Sequence, residues 1–431
     1  MGKNMLRIVR LGLVALFSVY LVSCAAPLSS ETRATEVFSA PSAEDIARSA
    51  RLDAFLATLK SEGVMPGASV LIYKNGQEAY FGVFGDQDRE DSIPFTRNTI
   101  ERIYSMSKPI TGVALMMLYE EGKFALDDPI SKYMPEYANL KVYAGVDADE
   151  QPILEPTTRP VTIRDLMRHT AGMTYGVFGD TPVDRIYRDK GLLGYDRTNA
   201  QLSTDLGTVP LLFQPGKIWH YSVAVDVQGR LIEVLSGKTL GEYLQSRIFG
   251  PLEMKETGFT VRDGEQSRLG ALYQLTKEGI KRLEDKPPFM ANQPFLTDTA
   301  FESGGGGLVS TIDDYMRFAR MLQNEGTLDG VSLISPKTLA LMTSDQLVGI
   351  DRGDLGLSNT FGLDFAIRTD SPDGPAYTPG SFYWGGLAGT FFFVDPKNDL
   401  TMVLFDQVIG TDAIKLRERL ATAIYGEVQP S

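Results

Sequence analysis

The sequence predicts a mixed α/β (α+β) protein: an antiparallel sheet built from both chain ends and flanked by helices, with an inserted mostly helical domain. Three observations predict it. Short strand-like runs stand near residues 68–83 and return between 361 and 405. Helical patterns open and close the folded part. The stretch from about 105 to 300 reads mostly as helices joined by Pro- and Gly-containing loops.

The first element is an address. Lys3, Arg7 and Arg10 are its charges, and Leu11 to Leu21 form an apolar run with one serine. That run suits a signal-peptide core and is too short for a bilayer core of about 30 Å. Leu21-Val22-Ser23-Cys24, followed by Ala25-Ala26, resembles the lipobox of bacterial lipoproteins, in which the cysteine is lipidated and becomes the new N-terminus. The resemblance implies a lipid anchor on Cys24, a membrane as partner and, with Ala25 rather than Asp next, the outer membrane facing the periplasm. Plain cleavage among Ser23 to Ala26 is the alternative, giving a soluble periplasmic or secreted protein. Residues 25–43, rich in Ser, Thr, Ala and Pro, read as a flexible tether.

The folded part is expected over 44–425, with an α/β part at about 44–104 and 301–425, a helical part at about 105–300, and a tail at 426–431. Ser42-Ala-Glu-Asp45 opens a helix to about Lys60, with Ile46, Leu52, Phe55, Leu56 and Leu59 near helical spacing and Gly63 as its stop. Ala68–Tyr73 and Glu78–Val83 are strand-like runs joined at Lys74-Asn75-Gly76, a strong hairpin signal. A helix spans 105–121 and stops at Gly122. Val225–Ser236 is helical, and Thr239-Leu-Gly-Glu242 has the capping-box spacing. Gly304–Gly307 lead into a helix at about Thr311–Gln323. Strand-like runs follow at Phe361–Ile367, Thr390–Val394 and Thr401–Phe405, then a helix at about Thr411–Ile424.

Composition excludes several functions. Of 431 residues, 43% are hydrophobic and 23% charged, ordinary values for a folded soluble protein. A chain this long buries about three quarters of its surface, so its core needs neither disulfide nor metal. One cysteine excludes a disulfide framework, and two histidines exclude a His-rich metal centre. A net charge of −13 repels phosphate backbones, so nucleic acid is not an expected partner. No Gly-x-Ser-x-Gly elbow and no His-Glu-x-x-His zinc site occur. Gly304–Gly307 precede no Gly-Lys-Ser/Thr and read as a flexible loop. Asp86-Gln-Asp88-Arg-Glu90 starts like a calcium loop but lacks its later Gly and Glu, and reads as a solvated turn.

Chemistry concentrates in Tyr104-Ser105-Met106-Ser107-Lys108-Pro109. Ser105 and Lys108 lie three apart, on one face of a helix's first turn. A serine hydroxyl needs a base to take its proton, and a neutral lysine can serve. The helix N-terminus favours a neutral lysine and a developing oxyanion alike. Pro109 is tolerated in a first turn.

Three further segments give this pair a context: Trp219-His-Tyr221-Ser222-Val223, Phe382-Tyr-Trp384-Gly385-Gly386-Leu387-Ala-Gly-Thr390, and Ile163-Arg-Asp-Leu-Met-Arg-His169-Thr170-Ala-Gly172. In this order and spacing, over roughly residues 45–425, the chain resembles the serine beta-lactamase and penicillin-binding protein superfamily, closest to family VIII carboxylesterases and class C beta-lactamases. The resemblance implies a beta-lactamase/transpeptidase-like fold and an acyl-enzyme on Ser105. Lys108 and Tyr221 would share its proton, either of them serving as base. The backbone N–H groups of Ser105 and Leu387, the latter on an edge strand, would form the oxyanion hole. Trp384, Gly385, Gly386 and Val223 would meet substrate. His169 is read as ordering its turn, and His220 as structural. No cofactor or metal is implied.

Two departures bear on substrate. Trp384 stands where the superfamily's lactamases and peptidases carry the Lys of Lys-Thr-Gly, which meets a substrate carboxylate. Val223 replaces the Asn of Tyr-x-Asn. Both point to a small-molecule partner that is an uncharged ester, hence a carboxylesterase on small to medium neutral esters. A beta-lactamase or D-Ala peptidase at the cell wall, an acyltransferase on the same scaffold, and a lipid-anchored binding protein are the alternatives. Segments 134–160, 173–215 and 265–300 are expected to wall the cleft; oligomeric state is left open.

Overall fold

The computed structural model describes residues 42–149, 152–283, 295–356, 358–371 and 377–426. The leader, Cys24, most of the tether and most of the tail lie outside the described residues.

Helix α1 (Ala43–Glu62) begins in a capping box: Ser42 Oγ accepts from the Asp45 N–H at 3.1 Å, and the Asp45 carboxylate accepts from the Ser42 N–H. Gly63, at φ 64°, ends it. Its buried stripe is Arg48, Leu52, Phe55, Leu56 and Leu59. Ile46 is not part of it and is 62% exposed, because the stem of Arg48 occupies the place one turn before Leu52. Strands β1 (Gly67–Lys74) and β2 (Gln77–Asp88) form the expected hairpin. Asn75 (φ 51°) and Gly76 (φ 74°) both take the left-handed conformation of a tight two-residue turn.

The acidic segment 86–90 is not a solvated turn. Asp86–Asp88 finish β2, Gln87 and Asp88 are buried, and Asp88 pairs with Arg282 at 2.9 Å. The short strand β3 (Ile93–Pro94) follows. Next come α2 (Ser107–Glu120), α3 (Ala224–Ser236) and α4 (Ile312–Gln323). Four short helices between α2 and α4 start with Thr-based capping boxes, at Thr162, Thr181, Thr198 and Thr239. The middle is less helical than expected. It also holds hairpins at Lys141–Val146/Pro152–Pro156 and Tyr273–Thr276/Gly279–Arg282.

The C-terminal strands are β4 (Asn359–Phe361), β5 (Ala366–Arg368), β6 (Phe382–Gly385), β7 (Phe391–Asp395) and β8 (Leu400–Phe405), followed by α5 (Ala413–Tyr425). The run Phe361–Ile367, expected as one strand, is split between β4 and β5. Asp364, at φ 63°, turns the chain there, and Gly362 lies too close to the Met342 carbonyl for a side chain.

The main sheet has the order β4-β5-β6-β7-β8-β1-β2-β3, antiparallel throughout, with Ser69 facing Phe405 where the two chain ends meet. Alternation sorts its side chains. Leu71, Phe392, Val394, Val403 and Phe405 pack on the side of α2 and α4. Val70, Ile72, Phe391, Phe393, Met402 and Leu404 pack with Leu52, Leu56, Leu416 and Leu420 of α1 and α5. Both faces are covered, which is why the central strands read as unbroken apolar runs.

Candidate active site

Ser105 lies in a single 3-10 turn, Tyr104–Met106, that runs into α2. Tyr104 is forced to φ 42°, a costly conformation for a tyrosine. Its backbone lies against Gly306, and Ile103 before it is tied to the Leu308 carbonyl at 3.0 Å. The turn points Ser105 into a cleft and puts Lys108 directly behind it, 1% exposed.

Three hydrogen bonds define the centre. Lys108 Nζ donates to Ser105 Oγ at 3.1 Å and to the Gly305 carbonyl at 2.5 Å. Tyr221 Oη donates to Ser105 Oγ at 2.7 Å. Lys108 Nζ also lies 4.8 Å from the Tyr221 ring centroid and 5.3 Å from that of Tyr175. Tyr221 comes from the segment leading into α3, which brings it across 116 residues of chain. Its ring is held by His169 at 5.0 Å, Tyr175 at 5.2 Å and Trp384 at 5.5 Å.

Leu387 follows β6 and lines the same cleft as Ser105. The expected edge strand is internal: β6 lies between β5 and β7. Its ladder to β5 stops at Tyr383, however, so its outer side is unpaired in the sheet from Trp384 onward. The Gly386 N–H donates to the Thr390 carbonyl at 2.7 Å, closing the turn that presents Leu387. Gly386 packs against the Ile103 carbonyl, and a Cβ there would come within 2.6 Å of it. Trp384 packs against the rings of Tyr221 and Phe361.

One expected substrate contact is corrected. Val223 caps α3, is fully buried and is no part of the cleft wall. Gly385 faces Arg417 of α5, whose guanidinium would collide with any side chain there. His169 is buried at φ 55°, its carbonyl accepting the His220 N–H at 2.9 Å and its Nδ1 3.4 Å from Ser222 Oγ. Burial drives its imidazole well below the usual range, so it stays neutral and supports the Tyr221 segment. His220 lies between Phe213 and Asp354.

The cleft walls are Tyr104, Tyr175, Leu193, Tyr195, Phe301 and Leu387, with Asp226 and Ser303 as the polar side chains beside Ser105. Segment 173–215 supplies Tyr175, Leu193 and Tyr195. Among the described residues, segment 134–160 supplies none of the lining, and Phe301 stands just past 265–300. Sequence reasoning missed Asp226, Ser303 and Gly305. The only available signal was an acid five residues after Tyr221 and a glycine run with no assigned task. Those glycines are not a flexible loop: Gly304, Gly305 and Gly307 are buried.

An antiparallel sheet made from both chain ends, with a serine, a lysine one turn on and a tyrosine beside the next long helix, is the architecture of beta-lactamase-fold serine hydrolases. The chain belongs to the Beta-lactamase family, whose model matches residues 52–421. It is 33% identical over 357 residues to Protein Rv1367c of Mycobacterium tuberculosis, covering 80% of this chain and 86% of that protein. It is 28% identical over 390 residues to Esterase EstB of Burkholderia gladioli, covering 86% and 94%. Among solved structures it is similar to EstCE1, described as a hydrolase with promiscuous acyltransferase activity. The TM-score there is 0.75 and the identity 26%, over 89% of this chain and 100% of that one.

Proposed function

We propose that the protein is a carboxylesterase that hydrolyses small to medium neutral esters through an acyl-enzyme on Ser105. One observation carries the substrate class: among the described residues, the cleft wall is aromatic and aliphatic, and its one charged side chain, Asp226, is acidic. Nothing on it offers a counter-charge to a substrate carboxylate, and Trp384 stands where such a contact is expected. The similarity to Esterase EstB and EstCE1 supports the reading.

The chemistry follows from the three hydrogen bonds. Ser105 Oγ attacks the ester carbonyl as its proton passes to the Lys108/Tyr221 pair. The oxyanion forms beside the N–H groups of Ser105 and Leu387. The C–O bond then breaks, and the alcohol leaves with the proton held by the pair. Water, deprotonated by the same pair, attacks the acyl carbonyl and frees the acid and Ser105. The test compares p-nitrophenyl butyrate with a chromogenic cephalosporin on the same preparation. Fast ester turnover with little cephalosporin turnover is expected; the reverse overturns the ester reading.

The proposal includes the address. A lipid on Cys24 would hold the domain at the bacterial outer membrane. Cys24→Ser is expected to move the protein from the membrane fraction to the soluble one, with ester turnover per molecule unchanged. Membrane retention of that variant would count against the anchor.

A further inference from the structure

The run Gly304–Gly307 and the buried acid Asp226 have no part in the steps above, and the structure joins them. Residues 303–305 lie against the first turn of α3. A Cβ on Gly304 would come within 2.8 Å of the Val225 carbonyl, and one on Gly305 within 2.8 Å of Asp226 Oδ2. Real Cβ atoms do not approach that closely, so glycine is what lets the two backbones touch. Asp226, 5% exposed, accepts twice on Oδ1: from Ser303 Oγ at 2.6 Å and from the Gly305 N–H at 3.0 Å. The carbonyl of the same Gly305 accepts from Lys108 Nζ, which donates to Ser105 Oγ. Thr111 Oγ1, one turn past Lys108 on α2, donates to the Gly304 carbonyl at 2.9 Å. The glycine run is thus clamped between α3 and α2.

We infer that Asp226 is a positioning residue for Lys108: through Gly305 it fixes where the ammonium sits against Ser105, and its carboxylate attracts the lysine's charge. The inference rests on the reading of Lys108 as a carrier of the Ser105 proton. Asp226 is suited to both tasks. Ser303 and Gly305 present two donors, which need an acceptor. Burial raises the carboxyl above its usual range, while those donors and Lys108 hold it down. The other titratable groups around Asp226 are the Tyr175 and Tyr195 phenols, which burial holds far above neutral pH. Around Lys108 there are also His169 and, from the turn between β4 and β5, Asp364. Burial pushes the Asp364 carboxyl well up and the His169 imidazole well down, each toward its uncharged form. Asp226 is the acid that two hydrogen-bond donors and Lys108 together pull toward its charged form.

Asparagine separates the two tasks, because its Oδ1 can still accept from Ser303 and Gly305 but carries no charge. The measurement is the rate at which a fluorophosphonate probe labels the full-length chain across pH, together with kcat and KM for p-nitrophenyl butyrate. In Asp226→Asn the acid limb of the labelling profile is expected about one unit lower in pH, and the plateau about tenfold lower, with KM unchanged. Ser303→Ala, which loosens the clamp but keeps the charge, is expected to lower the plateau and leave the limb in place. An Asp226→Asn limb that coincides with that of the unaltered protein overturns the inference. So does a Ser303→Ala plateau equal to that of the unaltered protein, which covers the case of an Asp226→Asn chain that does not fold. Loss of the underlying reading would look different: Ser105→Ala would still be labelled.

Discussion

Ser105→Ala is expected to lower kcat on p-nitrophenyl butyrate by on the order of 10⁶-fold, with labelling by a fluorophosphonate abolished. The substitution removes the one atom on which Lys108 Nζ and Tyr221 Oη converge, at 3.1 Å and 2.7 Å. Neither donor is then aligned on anything that attacks carbon. The fold loses little, because Lys108 keeps the Gly305 carbonyl and the Tyr221 ring keeps His169, Tyr175 and Trp384. The melting temperature should therefore stay within a few degrees, which separates lost chemistry from lost structure. Groups that act as one unit fail together, so adding Lys108→Met to Ser105→Ala should cost almost nothing more. A Ser105→Ala protein that keeps ester turnover would remove the acyl-enzyme scheme altogether.

Gly386→Ala gives the second large effect, through the backbone. An added Cβ would collide with Thr390 Oγ1 and come within 2.6 Å of the Ile103 carbonyl oxygen. Ile103 has little freedom to retreat, being tied to the Leu308 carbonyl at 3.0 Å and followed directly by the strained Tyr104. The adjustment therefore falls on the Gly386–Thr390 turn and on the Leu387 N–H that it presents. Losing one oxyanion donor costs about 2.7–4 kcal/mol, so kcat is expected to fall about 10²–10³-fold with KM little changed. If the variant folds and kcat is normal, Leu387 is not the donor.

What could be read in the sequence was local. The Thr239/Glu242 capping box, the Asn75-Gly76 turn, and the Ser105 and Lys108 spacing involve neighbours in the chain, and each formed as expected. The strands of β7 and β8 were legible because both their faces are apolar. Pairings across long separations were not. Asp226 reaches Gly305 over 79 residues, and no periodicity marks an acid that will find a glycine. The hairpins at 141–156 and 273–282 were missed because their strands are short and leave several side chains exposed, which gives no clean alternation. Val223 was placed in the cleft because it stands at the Asn position of the Tyr-x-Asn element. As the cap of α3 it instead lies fully buried in the core.

The meeting of β1 with β8 has a consequence for how the protein comes into being. The central pairing of the sheet joins Ser69 to Phe405, and α1 is tied to α5 through Arg51 and the Ala423 carbonyl. While the chain is being made, Ser105 and α2 emerge long before the turn that carries Leu387. Because β1 cannot find its second neighbour until β8 exists, the sheet's middle closes only near the end of synthesis. Such non-local pairing makes folding slow, and β1, apolar on both faces and paired only with β2, keeps one edge open in the meantime. On the proposed reading of Ser105 and Leu387, the same device keeps a half-made chain silent until the turn after β6 is in place.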